Sequence, residues 1–369
     1  MRVAAGLISV AVISVLLAEF FVVFLLPRRV KRDPRIARGL LRGLWIPWRA
    51  LAALLPRGGS DTMLGVFGPL GLLAILGMLS AGVILCFGGL QWAFSSRLGT
   101  AHPAGFSQEI YFSAGAFFSA STPYLPGGGA GKALQIAEAA TGFGFLAIAI
   151  GYLPALFQAF SRREIAVSRL DPRAGSPPSA GALLERAGHR GGWAELDEYL
   201  REWEVWAAEL METHLSYPIL GYFRSQHVNQ NWLAALTTIV DACSYAIAYG
   251  PEEAVEAATL TFRIGRHALA DLSYAFGCVL EPNQALVAGE RLTGDALSDL
   301  RAALQEGGLH AVQSDEAAGR LRTLRAGYEP YALAISRQLA LDLPNWLAGD
   351  VRENWRAASH PRHSDRLLP

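Results

Sequence analysis

Glu138 and the hydroxyl-rich run ahead of it, Ser119-Ala-Ser-Thr-Pro-Tyr-Leu-Pro126, are the residues best placed to do chemistry in this sequence. Both stand beside or inside stretches long and apolar enough to cross a bilayer, where an ionisable group is costly and is a functional candidate by default. Glu138 is read as an anchor for the loop through backbone N–H groups, with attraction of cations as the alternative. Glu19, inside the first apolar stretch, is read as reaching an arginine or a neighbouring helix and not as a transport site. Other chemistry finds little footing. His189, His214, His267, His310, His360 and His363 show no metal-ligand spacing, and His214 falls on the apolar face of a helix as a core histidine. Cys86, Cys243 and Cys278 suggest neither a disulfide framework nor a zinc site. With no glycine-rich phosphate loop and no nucleophile elbow, no enzyme, metal or cofactor is expected.

These residues depend on three apolar elements. Hydrophobic residues make up 52% of the 369-residue chain and charged residues 17%, with the apolar part concentrated in the first 160 positions. A helix needs about 20 apolar residues to cross about 30 Å of hydrocarbon. Val3–Leu26, Met63–Phe94 and Ala133–Ser161 meet that length. The first lacks a cleavage pattern and runs directly into Arg28, Arg29, Lys31 and Arg32, so it reads as a retained span. Nine basic residues and one acidic one lie between Arg28 and Arg57, against one basic residue, Arg97, between Ser95 and Gly131. Arg162, Arg163, Arg169 and Arg173 follow the third span. This bias places the N-terminus outside and the 28–60 loop and C-terminal part in the cytoplasm of a multi-pass plasma-membrane protein.

Within the first loop, Ile36, Leu40, Leu41, Leu44, Trp45, Trp48, Leu51 and Leu55 recur at helical spacing opposite Arg35, Arg38, Arg42 and Arg49. The pattern predicts a membrane-surface helix bent at Pro47; a helix packed on the cytoplasmic domain is the alternative. Between spans two and three, Ser107 would cap a short apolar helix over 107–118 with Glu109 in its first turn. That helix is too short to span and too apolar for water, so it is expected to be re-entrant. Its negative end would face the membrane centre and favour a cation there.

The remainder is soluble in character. Residues 163–192 include a Pro-, Gly- and Ser-rich stretch, Asp171–Gly181, and are expected to form a linker. Residues 193–350 are expected to form an α-helical domain, and 351–369 a flexible tail. Trp232–Tyr249 is apolar enough for a fourth span, but Thr237, Thr238, Asp241 and Ser244 argue for a helix buried in a bundle. The fold class is therefore all-α. Residues 1–30 form a span, 31–60 an interfacial helix, and 61–162 a unit of span, short helix 107–118, loop 119–126 and inner span.

Several words resemble bacterial potassium-channel-like proteins with one extra N-terminal span. They are Phe24-Leu-Leu-Pro-Arg-Arg-Val30, Val66-Phe-Gly-Pro69, Tyr111-Phe-Ser113, Glu138-Ala-Ala-Thr-Gly-Phe-Gly-Phe-Leu146 and Tyr152-Leu-Pro-Ala-Leu-Phe-Gln-Ala-Phe-Ser-Arg-Arg-Glu164. Asp171-Pro-Arg-Ala-Gly-Ser-Pro-Pro178, His214-Leu-Ser-Tyr-Pro218 and Tyr222-Phe-Arg-Ser-Gln-His227 carry the resemblance into the soluble part. It implies a pore unit with the third span as inner helix, in which Gly142, Gly144 and Gly151 serve packing or a hinge and Pro154 a kink. It also implies a Thr-x-Gly-x-Gly-Asp-like filter after the pore helix, where this chain has Ser119, Ala120, Ser121, Thr122, Pro123 and Tyr124. Glycines are needed there for backbone angles that aim successive carbonyls at an ion, and Pro123 fixes φ and supplies no N–H. A tight potassium ladder is therefore not expected. Hydroxyls of Ser119, Ser121 and Thr122 are candidates to replace some carbonyl ligands.

Two function classes follow: a cation-conducting homotetramer of doubtful potassium selectivity, or a non-conducting scaffold or sensor that keeps the pore architecture. The partners are the lipid bilayer, monovalent cations and further copies of the chain. Nucleic acid is not among them, because no basic stripe with interleaved aromatics occurs.

Overall fold

The computed structural model describes residues 2–26, 36–94, 104–121, 126, 128–227, 229–280, 291–311 and 316–347. The basic cluster Arg28, Arg29, Lys31 and Arg32, the loop residues Thr122, Pro123 and Tyr124, and the 351–369 tail lie outside the described residues. What is described is all-helical, without strands. Four helices are long and apolar enough to cross a membrane, as expected of a membrane protein. The chain divides into two units, Met1–Gln158 and Ala159–Pro369.

In the first unit, α1 (Arg2–Phe24) and α3 (Arg57–Ala93) pack antiparallel through small residues. Ser9 lies against Gly89 and Leu16 against Gly82, where an added Cβ would come within 2.8 Å of the Leu16 side chain. Without a hydrophobic force between helices in lipid, such close approach supplies the attraction. The amphipathic α2 (Ile36–Ala52) stays helical through Pro47 and packs on α3 and α1. Trp45 sits edge-on to Phe67, and the Trp48 indole N–H donates to the Met63 carbonyl at 2.9 Å. Glu19 accepts a hydrogen bond from Ala37 N–H at the start of α2, at 2.9 Å. That carboxylate reaches a neighbouring helix and satisfies a terminal donor that has no partner within α2 itself.

The short α4 (Phe106–Phe117) lies against α3, and α5 (Gly129–Ala174) follows it. Stacked Phe20 and Phe145, and the edge contact of Phe24 with Tyr152, pair α1 with α5. The Gln91 amide donates to Gly131 O at 3.1 Å, tying the end of α3 to the start of α5.

In the second unit the expected linker over 163–192 is replaced by helix. α5 runs on to Ala174, because Arg162, Arg163, Glu164 and the alternating residues after them suit a helix even though they end the apolar span. A buried turn leads to α6 (Ala180–Arg190), whose first turn is capped by Ser179 Oγ accepting from Ala182 N–H. The proline-rich composition marks a single turn and not a flexible spacer. Next come α7 (Trp193–Ser216), a 3₁₀ turn (Pro218–Tyr222), α8 (Trp232–Tyr249), α9 (Glu252–Ala275), α10 (Gly294–Glu306), α11 (Ala317–Ala326) and α12 (Glu329–Leu339). Seventeen residues of α8 are buried, under α6, α7, α9, α11 and α12. Enclosed in this way it has no face for lipid, and it is the core of the helical bundle.

Candidate functional site

The site is built from α4 upward. Gly105, not Ser107, precedes the first helical residue, and its N–H donates to Gln108 Oε1 at 3.0 Å. The expected cap and the 107–118 boundary are thus displaced by one or two residues. A glutamine three positions into a helix reaches back to the capping N–H readily. Glu109, Phe112, Ser113, Gly115, Ala116 and Phe117 form the buried side of α4. Ile110 presses its backbone against Gly88 of α3, where a Cβ would come within 3.1 Å.

Ser113 is the hub of this contact. Its hydroxyl donates to Ile84 O of α3 at 2.7 Å and is hydrogen-bonded to the carboxyl group of Glu138 on α5. All three groups are closed to solvent. A hydroxyl carries one hydrogen and a carbonyl none. Both contacts are therefore complete when Glu138 carries a proton and donates to Ser113 Oγ. The second Glu138 oxygen has no partner among the described residues. Glu138 thus meets a side chain of the short helix, where the sequence pointed to backbone N–H groups of the loop.

The end of α4 sets the first loop residues. Ser119 N–H donates to Ala116 O at 3.1 Å and Ala120 N–H to Gly115 O at 2.8 Å. Ser119 has φ 52°, in the left-handed region. This pair of bonds with a left-handed residue is the Schellman ending of a helix, with serine where glycine is usual. It turns Ser119 and Ala120 back on the helix, with their N–H groups bonded to Ala116 O and Gly115 O, so the loop does not leave α4 as extended chain. Ala120 and Ser121 follow in irregular chain.

The three glycines of α5 part company. A Cβ at Gly142 would overlap the Phe117 carbonyl oxygen, so this glycine admits the end of α4. Gly144 and Gly151 meet nothing within 4 Å. On the same helix Phe143, Leu146, Ile150, Leu153 and Phe157 are exposed at spacings of three and four residues.

The helical bundle holds two buried polar networks. Arg163 donates from its terminal nitrogens to Leu220 O and Phe223 O, both at 2.9 Å, and from Nε to Glu164 at 2.9 Å. Its third terminal contact is His214 Nε2 at 3.2 Å, while His214 Nδ1 lies 2.8 Å from Leu210 O. This geometry requires hydrogen on Nδ1. Burial, then the Arg163 charge, hold His214 well below the usual histidine range and hence neutral. In the second network Arg291 bridges Asp241 at 2.6 Å and Glu329 at 2.9 Å; Tyr328 OH donates to Asp241, and Arg325 reaches Glu329 at 3.1 Å. No group of three His, Cys, Asp or Glu able to hold a metal occurs among the described residues.

Sequence reasoning missed Ser113, Gly88 and Gln91. Ser113 did carry a signal, as a hydroxyl one turn after Glu109 inside an otherwise apolar segment. Comparison with family models, with curated proteins and with solved structures finds no match for this chain.

Proposed function

We propose that this chain is one subunit of a potassium-channel-like, homo-oligomeric membrane protein. In this reading α3, α4, the 119–126 loop and α5 form its pore unit, and the loop lines a cation path without potassium selectivity. The observation that carries the reading is the seating of α4. A twelve-residue apolar helix, too short to cross a bilayer, is held between two membrane-length helices by Ser113, Ile84 and Glu138. Irregular chain at membrane depth is tolerated only where protein or a watery cavity surrounds it, and a loop lining a path between subunits meets that condition. The exposed seam from Phe143 to Phe157 has the three-four spacing of helices that pack on their own copies, which suits a homotetramer. The positive-inside bias orients the N-terminus outward and the helical bundle to the cytoplasm.

One observation favours a second reading, a non-conducting scaffold or sensor: the Schellman ending at Ser119 and Ala120, which leaves the start of the loop unlike a carbonyl ladder. Currents through purified, cross-link-verified oligomers in planar bilayers, with potassium and sodium compared, separate the two. The channel reading expects cation currents with a permeability ratio near unity. Silence under all voltages from intact oligomers rejects it in favour of the scaffold, and strong potassium selectivity rejects the argument about the missing glycines.

A further inference from the structure

A cleft of about 500 Å³ opens between α9 and α11, lined by Arg263, Arg266, His267, Thr323 and Gly327 among others. The helical register explains the convergence. Arg266 and His267 stand three and four positions after Arg263 and so flank it on one face of α9. On α11, Arg320 stands one turn ahead of Thr323 and is exposed like it.

The arginines lining this cleft form no ion pair among the described residues. Three other surface arginines of the bundle have carboxylate partners: Arg169 with Glu202, Arg173 with Glu195, Arg201 with Asp197. Arg263, Arg266 and Arg320 have none among the described residues. Asp271, one turn beyond the cleft on α9, engages His267 at 3.3 Å, and Glu316 stands one turn before Arg320 at the start of α11. Arg266 is also held in place, since its Nε–H donates to Gly327 O at 3.0 Å. That bond fixes the plane of the guanidinium and covers a carbonyl at the negative end of α11, which would otherwise oppose an anion.

Two guanidinium groups in the cleft, Arg263 and Arg266, with Arg320 one turn along α11 from its edge, raise the local positive potential and present N–H donors. The geometry of those donors matches the oxygens of a phosphoryl group. We propose that the α9–α11 cleft is a binding site for a phosphoryl anion, with Arg263 and Arg320 supplying charge and the fixed Arg266 orienting the group. Thr323 and His267 border the site, the first donating to Gly319 O at 3.0 Å and the second engaged with Asp271. The source of the anion is either a soluble phosphorylated compound or a phospholipid headgroup.

The test uses the full-length chain in phosphatidylcholine nanodiscs, titrated with pyrophosphate by calorimetry. In parallel, native mass spectrometry of the detergent-solubilised chain scores retention of added phosphatidylglycerol. The variants are Arg263→Glu and Arg320→Glu, which keep the Arg266–Gly327 bond, with Arg201→Glu as a charge-matched control outside the cleft. Saturable pyrophosphate binding, weakened about tenfold or more in the two cleft variants and unchanged in the control, supports a soluble source. Lipid retention lost in the same two variants, without pyrophosphate binding, supports the headgroup. If neither probe binds, or the cleft variants bind as the control does, the proposal is wrong. Unfolding midpoints of all variants are compared with the wild type. Should a cleft variant not fold, Arg263→Gln replaces it and the same weakening is required.

Discussion

Ser113 on α4 and Glu138 on α5 are hydrogen-bonded to each other in a contact closed to solvent, and the same Ser113 hydroxyl reaches Ile84 O on α3. One side chain therefore joins the short helix to both of its long neighbours. The hydrogen count assigns the proton to Glu138, and this separates substitutions that look alike. Glu138→Gln keeps a donor for Ser113 Oγ and is expected to leave thermal stability within a few tenths of a kcal/mol. Glu138→Ala and Ser113→Ala strand buried polar groups and are expected to cost about 1–3 kcal/mol. Thermal unfolding of the detergent-solubilised protein, followed by size exclusion, reads the difference. A Glu138→Gln variant as unstable as Glu138→Ala would show that Glu138 acts as an ionised acceptor instead.

Gly142 and Gly144 lie two residues apart on α5 and differ in what they face. A methyl group at Gly142 would occupy the position of the Phe117 carbonyl oxygen, whereas one at Gly144 meets nothing within 4 Å. Gly142→Ala is expected to destabilise by about 1–3 kcal/mol, through displacement of the α4 terminus. Gly144→Ala is expected to be neutral or slightly stabilising, because alanine restrains the unfolded chain. Equal melting temperatures for the two variants would refute the close approach of Phe117 to Gly142.

The two examples show what a sequence does and does not carry. The apolar spans were legible because about 20 uncharged residues in a row have few other uses. Their ends were not: α3 starts at Arg57 and α5 continues past Arg162 and Arg163, since helix continuity is decided by backbone bonding and not by hydropathy. The linker over 163–192 was misjudged for a related reason. Pro172 sits in the last turn of α5, and Ser179 caps α6 immediately after the turn. Of three glycines with the same composition signal, only Gly142 has a neighbour, and that neighbour is 25 residues away in sequence. Ser113 and Glu138 are separated by the same distance, as are no two residues that a local pattern would pair. The enclosure of α8 was foreshadowed by Asp241, whose carboxylate the bundle satisfies through Arg291 and Tyr328 and lipid could not.

Arg163 is 3% exposed and holds the carbonyls of Leu220 and Phe223, the ring of His214 and the carboxylate of Glu164. Arg163→Met removes all four contacts and leaves buried acceptors without donors. A loss of about 3–5 kcal/mol is expected, as when one member of a buried charged network is deleted. Arg163→Lys retains the charge but not the fork of N–H groups, so an intermediate loss is expected. Urea unfolding monitored by tryptophan fluorescence is a suitable probe, since Trp232 stacks beside His214. No change in midpoint for Arg163→Met would show that the network adds nothing to the stability of the bundle.

The Asp241, Arg291, Tyr328, Arg325 and Glu329 network makes a prediction about pH. Burial, followed by the Asp241 charge, pushes the Glu329 carboxyl group up to about 7, against the pull of Arg291 and Arg325. Its folded value thus lies above that of the unfolded chain, about 4.5. The folded state binds the extra proton across this interval, so the contribution of Glu329 to stability is fully present below the unfolded value and is lost as pH rises through about 7. The loss between about pH 5 and about pH 8 is expected to be on the order of 3 kcal/mol. Glu329→Gln, which stays neutral, should flatten this part of the profile and leave the protein more stable than the wild type at pH 8. Its amide oxygen can still accept from both arginines, and the folded wild type is already neutral at this position at pH 5, so the two stabilities should match there. Unfolding midpoints of both proteins across that pH range provide the comparison. A wild-type stability that instead falls on acidification toward pH 5, with the Gln variant unchanged, would mean that the arginines outweigh burial and hold Glu329 ionised.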